Sequence, residues 1–275
     1  MSDLVVRLVS LNIWDLPIPL PRLERRERRA RLLEGLRPLD ADLVLLQESF
    51  RPGFRRVIAR ELAHFHPFPR FAERRWAGIL PMDRSGGLFT LSRWPIAEAR
   101  YQPARQVRSW KIAERIGGKG CLWTRVDAPA GRLLIGNVHF YAGNAPLDAH
   151  VRAIQTSHLL LHGELQPGVQ TILAGDFNWD RDFERSESGP NGMDLMAEAG
   201  FREAADGRSA GIETMDPRRN RYARYVPWHR PPRRLTHVYY RGGLTAGPAP
   251  PTLCLHDPPA SDHYGLLTTL TIPVP

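Results

Sequence analysis

Several apolar runs in this chain leave no polar face. ADLVLLQE (41–48), RLLIGNVHF (132–140) and TILAGDF (171–177) are short, rich in Val, Ile and Leu, and apolar at neighbouring as well as alternate positions. A strand with one wet face alternates polar and apolar residues, whereas a strand apolar on both faces needs cover on both. Segments of helical spacing lie between these runs, so both kinds of element must share one core. Two sheets stacked face to face with helices outside satisfy that demand. At 275 residues, 42% of them hydrophobic, the chain is long enough to bury such a core in a single domain over 1–275.

The pass along the chain predicts strands at LVVRLVSLNI, ADLVLLQE, GGLFTLS, GCLWTRVDA, RLLIGNVHF, TILAGDF, LTHVYYR and YGLLTTLTI, separated by Gly- or Pro-bearing turns. Helices are expected in RLERRERRARLLEGL, FRRVIARELAHF, PLDAHVRAIQTSHLLLHGEL and GMDLMAEAG. The first of these puts Leu23, Ala30, Leu33 and Leu36 near one face, with its arginine run read as the solvated face. Residues 207–233, rich in Arg, Pro and aromatics, read as a long surface loop.

No stretch reaches 18 consecutive apolar residues, and the N-terminus reads as a first strand rather than a signal peptide, so the expected location is cytoplasmic. Cys121 and Cys254 have neither disulfide-framework nor zinc spacing and read as buried thiols in a reducing compartment. The formal charge is +9, and apart from Lys111 and Lys119 every basic residue is arginine. The planar guanidinium grips phosphate bidentately, so this excess suits a phosphate-bearing partner, although charge alone also fits a merely soluble protein.

The polar residues that matter stand at strand ends. TILAGDF ends on Asp176, with Asn178 two places on and therefore on the same side of an extended chain. Asn12 ends the first strand, Glu48 the second and His139 another, and Asp262 and His263 stand just before the last. Each alone also fits a structural role: turn caps for Asn12 and Glu48, an Asx turn at Asp176, a core histidine at His139. Gathered on one rim, the set supplies oxygen ligands of the kind that select hard cations, Mg2+ or Mn2+, and imidazoles for proton transfer.

In this order, LN…QE…H…GDFN…SDH resembles the endonuclease/exonuclease/phosphatase family from Asn12 to His263. LNIWDLP, GGLFTLSRWPI, IGGKGCL, HVRAIQ and ETMDPRRNRYAR look most like its neutral sphingomyelinase members. The resemblance implies a four-layered α/β sandwich and metal-dependent hydrolysis of phosphodiesters or phosphomonoesters. By that resemblance Glu48 binds metal with Asn12 alongside, and Asp262 joins the metal shell or orients a histidine. His263 is the general base, Asp176 orients water, Asn178 and His139 hold phosphoryl oxygens, and Lys119 approaches the headgroup or phosphate.

One position departs from the family pattern. The strand RRLTHVYYR carries Thr236 where the family has an aspartate that bonds the general-base histidine. A threonine hydroxyl can accept from His263 but brings no charge, so either the position is mutated, a carboxylate such as Asp257 substitutes, or activity is low; Thr236 is counted with Lys119 among the substrate-binding candidates. The segment NRYARYVPWHRPPRR interleaves arginine with Tyr222, Tyr225 and Trp228, a composition that suits a lipid headgroup at a membrane surface and also stacked nucleic-acid bases. Trp14 and Trp179 are read as pocket walls or as core. The sphingomyelinase-like phospholipid substrate is the expectation, with a nuclease, a sugar- or inositol-phosphate phosphatase, or a catalytically weak phosphate- or lipid-binding module as alternatives.

Overall fold

The computed structural model describes residues 3–17, 24–72, 85–106, 114, 117–180, 184, 191–205, 212–225 and 231–273. Within them lie two mixed sheets. The first is seven-stranded and built around β1 (Leu4–Asp15), β2 (Leu43–Ser49) and β13 (Gly265–Ile272), with β3 (Phe68–Phe71), β4 (Phe89–Ser92), β11 (Thr245–Ala246) and β12 (Thr252–Cys254) toward its edges. The second is six-stranded, in the order β5 (Ile96–Pro103), β6 (Gly120–Ala128), β7 (Gly131–His139), β8 (Thr171–Asp176), β10 (Thr236–Arg241), β9 (Arg202–Glu203). The pairs β1–β2 and β7–β8 are parallel and all other pairings are antiparallel.

The period of two explains why these strands are apolar throughout. Val6 and Leu8 of β1, Leu43 and Leu45 of β2, Ile135, Ile172 and Val238 fill the space between the sheets. The intervening residues Val9, Leu11, Val44 and Leu46 face the other way, onto helices α1 (Arg25–Leu36) and α2 (Pro52–Glu61). On the second sheet Leu134, Val138 and Leu173 meet α3 (Pro146–His162) and α4 (Gly192–Glu198) through Leu159 and Met196. Helix, sheet, sheet and helix thus make the four-layered α/β sandwich that the sequence led us to expect. Gln47 and Asn137 bond across the middle layer at 2.8 Å, and Asn137 also donates to Leu46 O and Phe89 O. These buried amides tie the two sheets together one residue below Glu48 and two below His139.

Two expectations are corrected here. The buried stripe of α1 is Arg28, Leu32 and Leu36, while Ala30 is exposed and Leu33 half-buried. Arg28 is only 3% exposed, because its guanidinium donates to Ile13 O and Trp14 O and lies over the Trp14 and Tyr222 rings. The arginine run is therefore not uniformly solvated. Likewise the described part of 207–233 is no simple surface loop: Thr214, Asp216, Asn220, Tyr222 and Ala223 are buried against the body. Trp179 is core, stacked on Phe177. Leu23 and Trp228 lie outside the described residues. Both cysteines are free and buried. Among the described residues no helix is long and apolar enough to cross a membrane.

Candidate active site

Parallel strands point their carboxyl ends the same way, and ligands of open α/β sheets gather at such ends. Asn12 lies inside β1, three residues before its last, where the pairing with β2 shifts register; Glu48 is next to last in β2, and His139 and Asp176 are register partners at the ends of β7 and β8. Stacking the sheets brings the two pairs together. Asn12 Nδ2 donates to Glu48 Oε1 at 3.1 Å and to Asp176 Oδ2 at 2.9 Å, so one amide bridges the carboxylates of opposite sheets. Its Oδ1 accepts from Trp14 N at 3.0 Å. His139 Nε2 lies 3.7 Å from both Glu48 Oε1 and Asp176 Oδ2, and His263 Nε2 lies 3.9 Å from the same Asp176 oxygen.

Local backbone aims these groups. Glu48 and Asn178 both have φ near +57, at 55 and 57, which turns the chain sharply out of each strand. At Glu48 the turn depends on a glycine: a Cβ on Gly87 would fall 2.6 Å from Ser49 N and 2.8 Å from Glu48 Cα. Gly86 O and Gly87 O then accept from Glu48 N and Ser49 N, as a sheet partner would. Asn178 N donates to Asp176 Oδ1, and its Nδ2 donates to Phe140 O at 2.9 Å, leaving the second amide hydrogen for a ligand.

The electrostatics divide the cluster. Loss of solvent, with Asp262 nearby, pushes Glu48 up to about 7 although 17% of its side chain stays exposed; Lys119 and the Asn12 amide oppose the rise. Burial raises Asp262 against the pull of His263 and Arg28. Burial acts the same way on Asp176, but His263, His139 and Lys119 outweigh it and hold that carboxyl below its ordinary value. Burial and the Lys119 charge bring His139 down to about 3, so its ring is neutral in working conditions. A carbonyl only accepts, so the 3.3 Å contact from His139 Nδ1 to Gly86 O assigns the hydrogen to Nδ1. Nε2 then presents a lone pair. The neutral ring accepts from water or a protonated oxygen, and donates to an anionic oxygen only after taking up a proton.

The remaining expected residues are close by. Asp262 Oδ1 accepts from Ser261 Oγ, and Ser261 Oγ also contacts Asn12 O at 2.6 Å. Lys119 is only 8% exposed and pairs with Glu114 at 3.1 Å, a carboxylate that sequence reasoning missed and that also accepts from Ala142 N. Thr236 is the register partner of Asp176 and fully buried. Its Oγ has no hydrogen-bond partner, and neither has the buried His263 Nδ1, so the hydroxyl-to-imidazole bond expected from the sequence is not formed. Asp257 is exposed and does not replace the missing carboxylate at this buried position.

The donors fit a hard divalent cation. Glu48 Oε2 is buried without a hydrogen-bond partner, while Oε1 accepts from the Asn12 amide nitrogen. Among the described residues no group of three or more His, Cys, Asp or Glu side chains is placed to hold a metal ion. Mg2+ does not require such a group, because it keeps several waters and takes one or two protein carboxylates.

No curated protein sequence matches the chain. Among solved structures, sphingomyelinase C from Streptomyces griseocarneus superposes with a TM-score of 0.72 at 17% identity, covering 98% of this chain and 99% of that one. A doubly substituted beta toxin from Staphylococcus aureus with bound magnesium ions gives 0.72 at 16%, covering 97% and 99%. TDP2 from C. elegans gives 0.67 at 15%, covering 98% and 75%. At these identities the likeness establishes the fold. The sequence match to the Endonuclease/Exonuclease/phosphatase family runs over residues 9–263. It spans every strand end in the cluster, and the chain belongs to that family, hydrolases that act on phosphodiester bonds with a divalent metal.

Proposed function

We propose that this protein hydrolyses a phospholipid phosphodiester in the manner of a sphingomyelinase, releasing phosphocholine from sphingomyelin, with Mg2+ as its metal and Mn2+ as a substitute. The observation that carries the reading is the Asn12 amide bridging Glu48 and Asp176, with His139 and His263 on the same carboxylates. The full-length likeness to sphingomyelinase C and the exposed arginine and Tyr225 of the 217–225 segment support the lipid substrate.

In this reading Glu48 holds the metal, with Asn12 and Asp262 beside it. The bound metal supplies neutralisation of charge on the phosphoryl oxygens. His263 removes a proton from the attacking water at Nε2, which requires that its own ring hydrogen sit on Nδ1. Asp176, whose carboxyl is held below its ordinary value, accepts from that water and keeps it in line. The second Asn178 amide hydrogen binds a phosphoryl oxygen, and His139, whose Nε2 is unprotonated in the neutral ring, accepts there from water and holds a phosphoryl oxygen only after it gains a proton. Lys119 contributes positive potential at the phosphate. One catalytic domain spans the chain.

Thr236 leaves the Nδ1–H of His263 without an acceptor. Restoring a carboxylate there supplies a charge-assisted bond worth about 1.5–3 kcal/mol, or about 10- to 150-fold in rate. Thr236→Asp is therefore expected to raise kcat on an aryl phosphodiester while lowering Tm, since the new charge faces Asp176 directly across the β8–β10 ladder. Steady-state kinetics on the folded variant check this, and unchanged or slower turnover contradicts it. The same orphaned nitrogen favours a second reading, a phosphate- or lipid-binding module with little turnover.

Glu48 binds metal as the carboxylate, and its proton leaves near pH 7. Below that pH protons compete with metal, so Mg2+ affinity is expected to fall by about tenfold per pH unit and each binding event to release a proton. Above it affinity levels off. Calorimetric titration at pH 6 and pH 8, in buffers of different ionisation enthalpy, measures both.

Phosphocholine release from sphingomyelin vesicles with Mg2+, set beside nicking of plasmid DNA, tests the substrate. Lipid turnover with intact DNA supports the reading, whereas DNA cleavage with intact lipid replaces it by a nuclease.

A further inference from the structure

His263 sits outside regular structure, in the turn 261–264 before β13 begins at Gly265. No ladder fixes its backbone, and its own N–H reaches only Ser261 Oγ, at 3.4 Å. A buried turn of this kind needs its polar groups satisfied from elsewhere. The partners come from the segment 214–222. Asn220, wholly buried, donates both hydrogens of its Nδ2 to successive carbonyls of the turn, Ser261 O at 2.8 Å and Asp262 O at 3.0 Å. Its Oδ1 accepts from Tyr222 N at 3.0 Å and its backbone N donates to Asp216 O at 2.7 Å, so the side chain has no slack. On the far side of His263, Thr214 O accepts from Tyr264 N at 2.6 Å. Thr214 Oγ accepts from Leu235 N and Thr236 N, so one threonine carries both the start of β10 and the residue after His263.

We propose that Asn220, seconded by Thr214, is a positioning residue for His263: its two-hydrogen fork sets the direction of the imidazole toward Asp176. This inference rests on the role given to His263 above. Asn220 touches neither substrate nor metal in this account; it acts by holding two carbonyls. The bland alternative is that the fork only stabilises the fold. The two separate experimentally, because a positioning residue loses its effect when the group it positions is gone.

The test is a double-mutant cycle on a soluble aryl phosphodiester with Mg2+. Asn220→Ala is expected to lower kcat by about ten- to a hundredfold, the scale of a misplacement near 1 Å. KM should stay within about threefold, since uniform binding of substrate is untouched. In the His263→Ala background the same substitution should cost nothing further. Unchanged kcat, or losses that multiply in the double variant, overturn the proposal. If Asn220→Ala does not fold, Asn220→Leu keeps the volume of the side chain and removes the fork together with the Tyr222 acceptor. Failure of both to fold assigns Asn220 to stability and overturns the proposal as well. If the wild-type protein hydrolyses nothing, the functional reading falls and positioning is read without turnover. In 15N-labelled protein the His263 ring signals, assigned by their loss in His263→Ala, should shift or broaden in Asn220→Ala, while those of His237 on the opposite face stay. Unmoved His263 signals contradict positioning.

Discussion

Glu48→Gln is expected to remove nearly all turnover, by about a thousandfold or more, because the metal's stabilisation of phosphoryl charge is worth several kcal/mol. The substitution keeps the shape of the side chain and the contact with Asn12 Nδ2, and removes only the negative charge that a hard cation needs. It carries a second expectation of opposite sign. Burial lifts Glu48 to about 7 in the metal-free protein, above the ordinary carboxyl value. A group with a raised folded pKa favours the native state at low pH and opposes it once the pH passes that pKa. At pH 8 the metal-free wild type therefore contains an ionised, poorly solvated carboxylate, and Gln removes it. The variant should be more stable than wild type there by the order of 1–3 kcal/mol, and no more stable at pH 5. Denaturant unfolding with EDTA at both pH values measures this. A variant that is inactive and also destabilised at pH 8 would mean that Glu48 is a structural partner of Asn12.

His263→Ala is expected to lower kcat by about a hundred- to ten-thousandfold, the range for removal of a general base. Mg2+ affinity should change little. The signature is chemical rescue, because a freely diffusing base can stand in for the missing ring and return its share of the rate. External imidazole should restore part of the lost rate. Loss of metal binding in this variant would instead count His263 among the ligands. His139→Ala separates the two histidines: burial and the Lys119 charge keep the His139 ring neutral with its hydrogen on Nδ1, so it is not the base, and imidazole should not rescue its loss.

Much of this arrangement can be read in the letters alone, for a physical reason. An apolar run that is buried on both faces has nowhere to put a carboxylate except its end, so Glu48 and Asp176 announce themselves. The layered sandwich is legible for the same reason, since Val44 and Leu45 must face opposite covers. The edges are not legible: β9 and β11 have two residues each, and β3 is the four-residue run Phe68–Phe71 with a proline inside it. Nor is Arg28, which is the same letter as its exposed neighbours and is buried only because carbonyls of β1 and two aromatic rings wait for it. Asn220 is the clearest case. Its partners are two carbonyls more than 40 residues away, and no periodicity or composition marks such a bond. Surrounded by Arg218, Arg219 and Arg221, it reads as loop. Glu114 is similar, since its role depends on Lys119 folding back toward it.

The account's central claim is that Asn12, Glu48, His139, Asp176, Asn178 and His263 form one metal and phosphate site. Crystals of the wild-type protein grown with Mn2+ test this most directly through the anomalous signal of the ion. The account predicts a peak at a bonding distance of about 2.0–2.2 Å from a Glu48 oxygen, on the Asn12 side of the cluster, and its absence in Glu48→Gln. A fully occupied Mn2+ bound elsewhere in an active protein, with Glu48 unliganded, would contradict it.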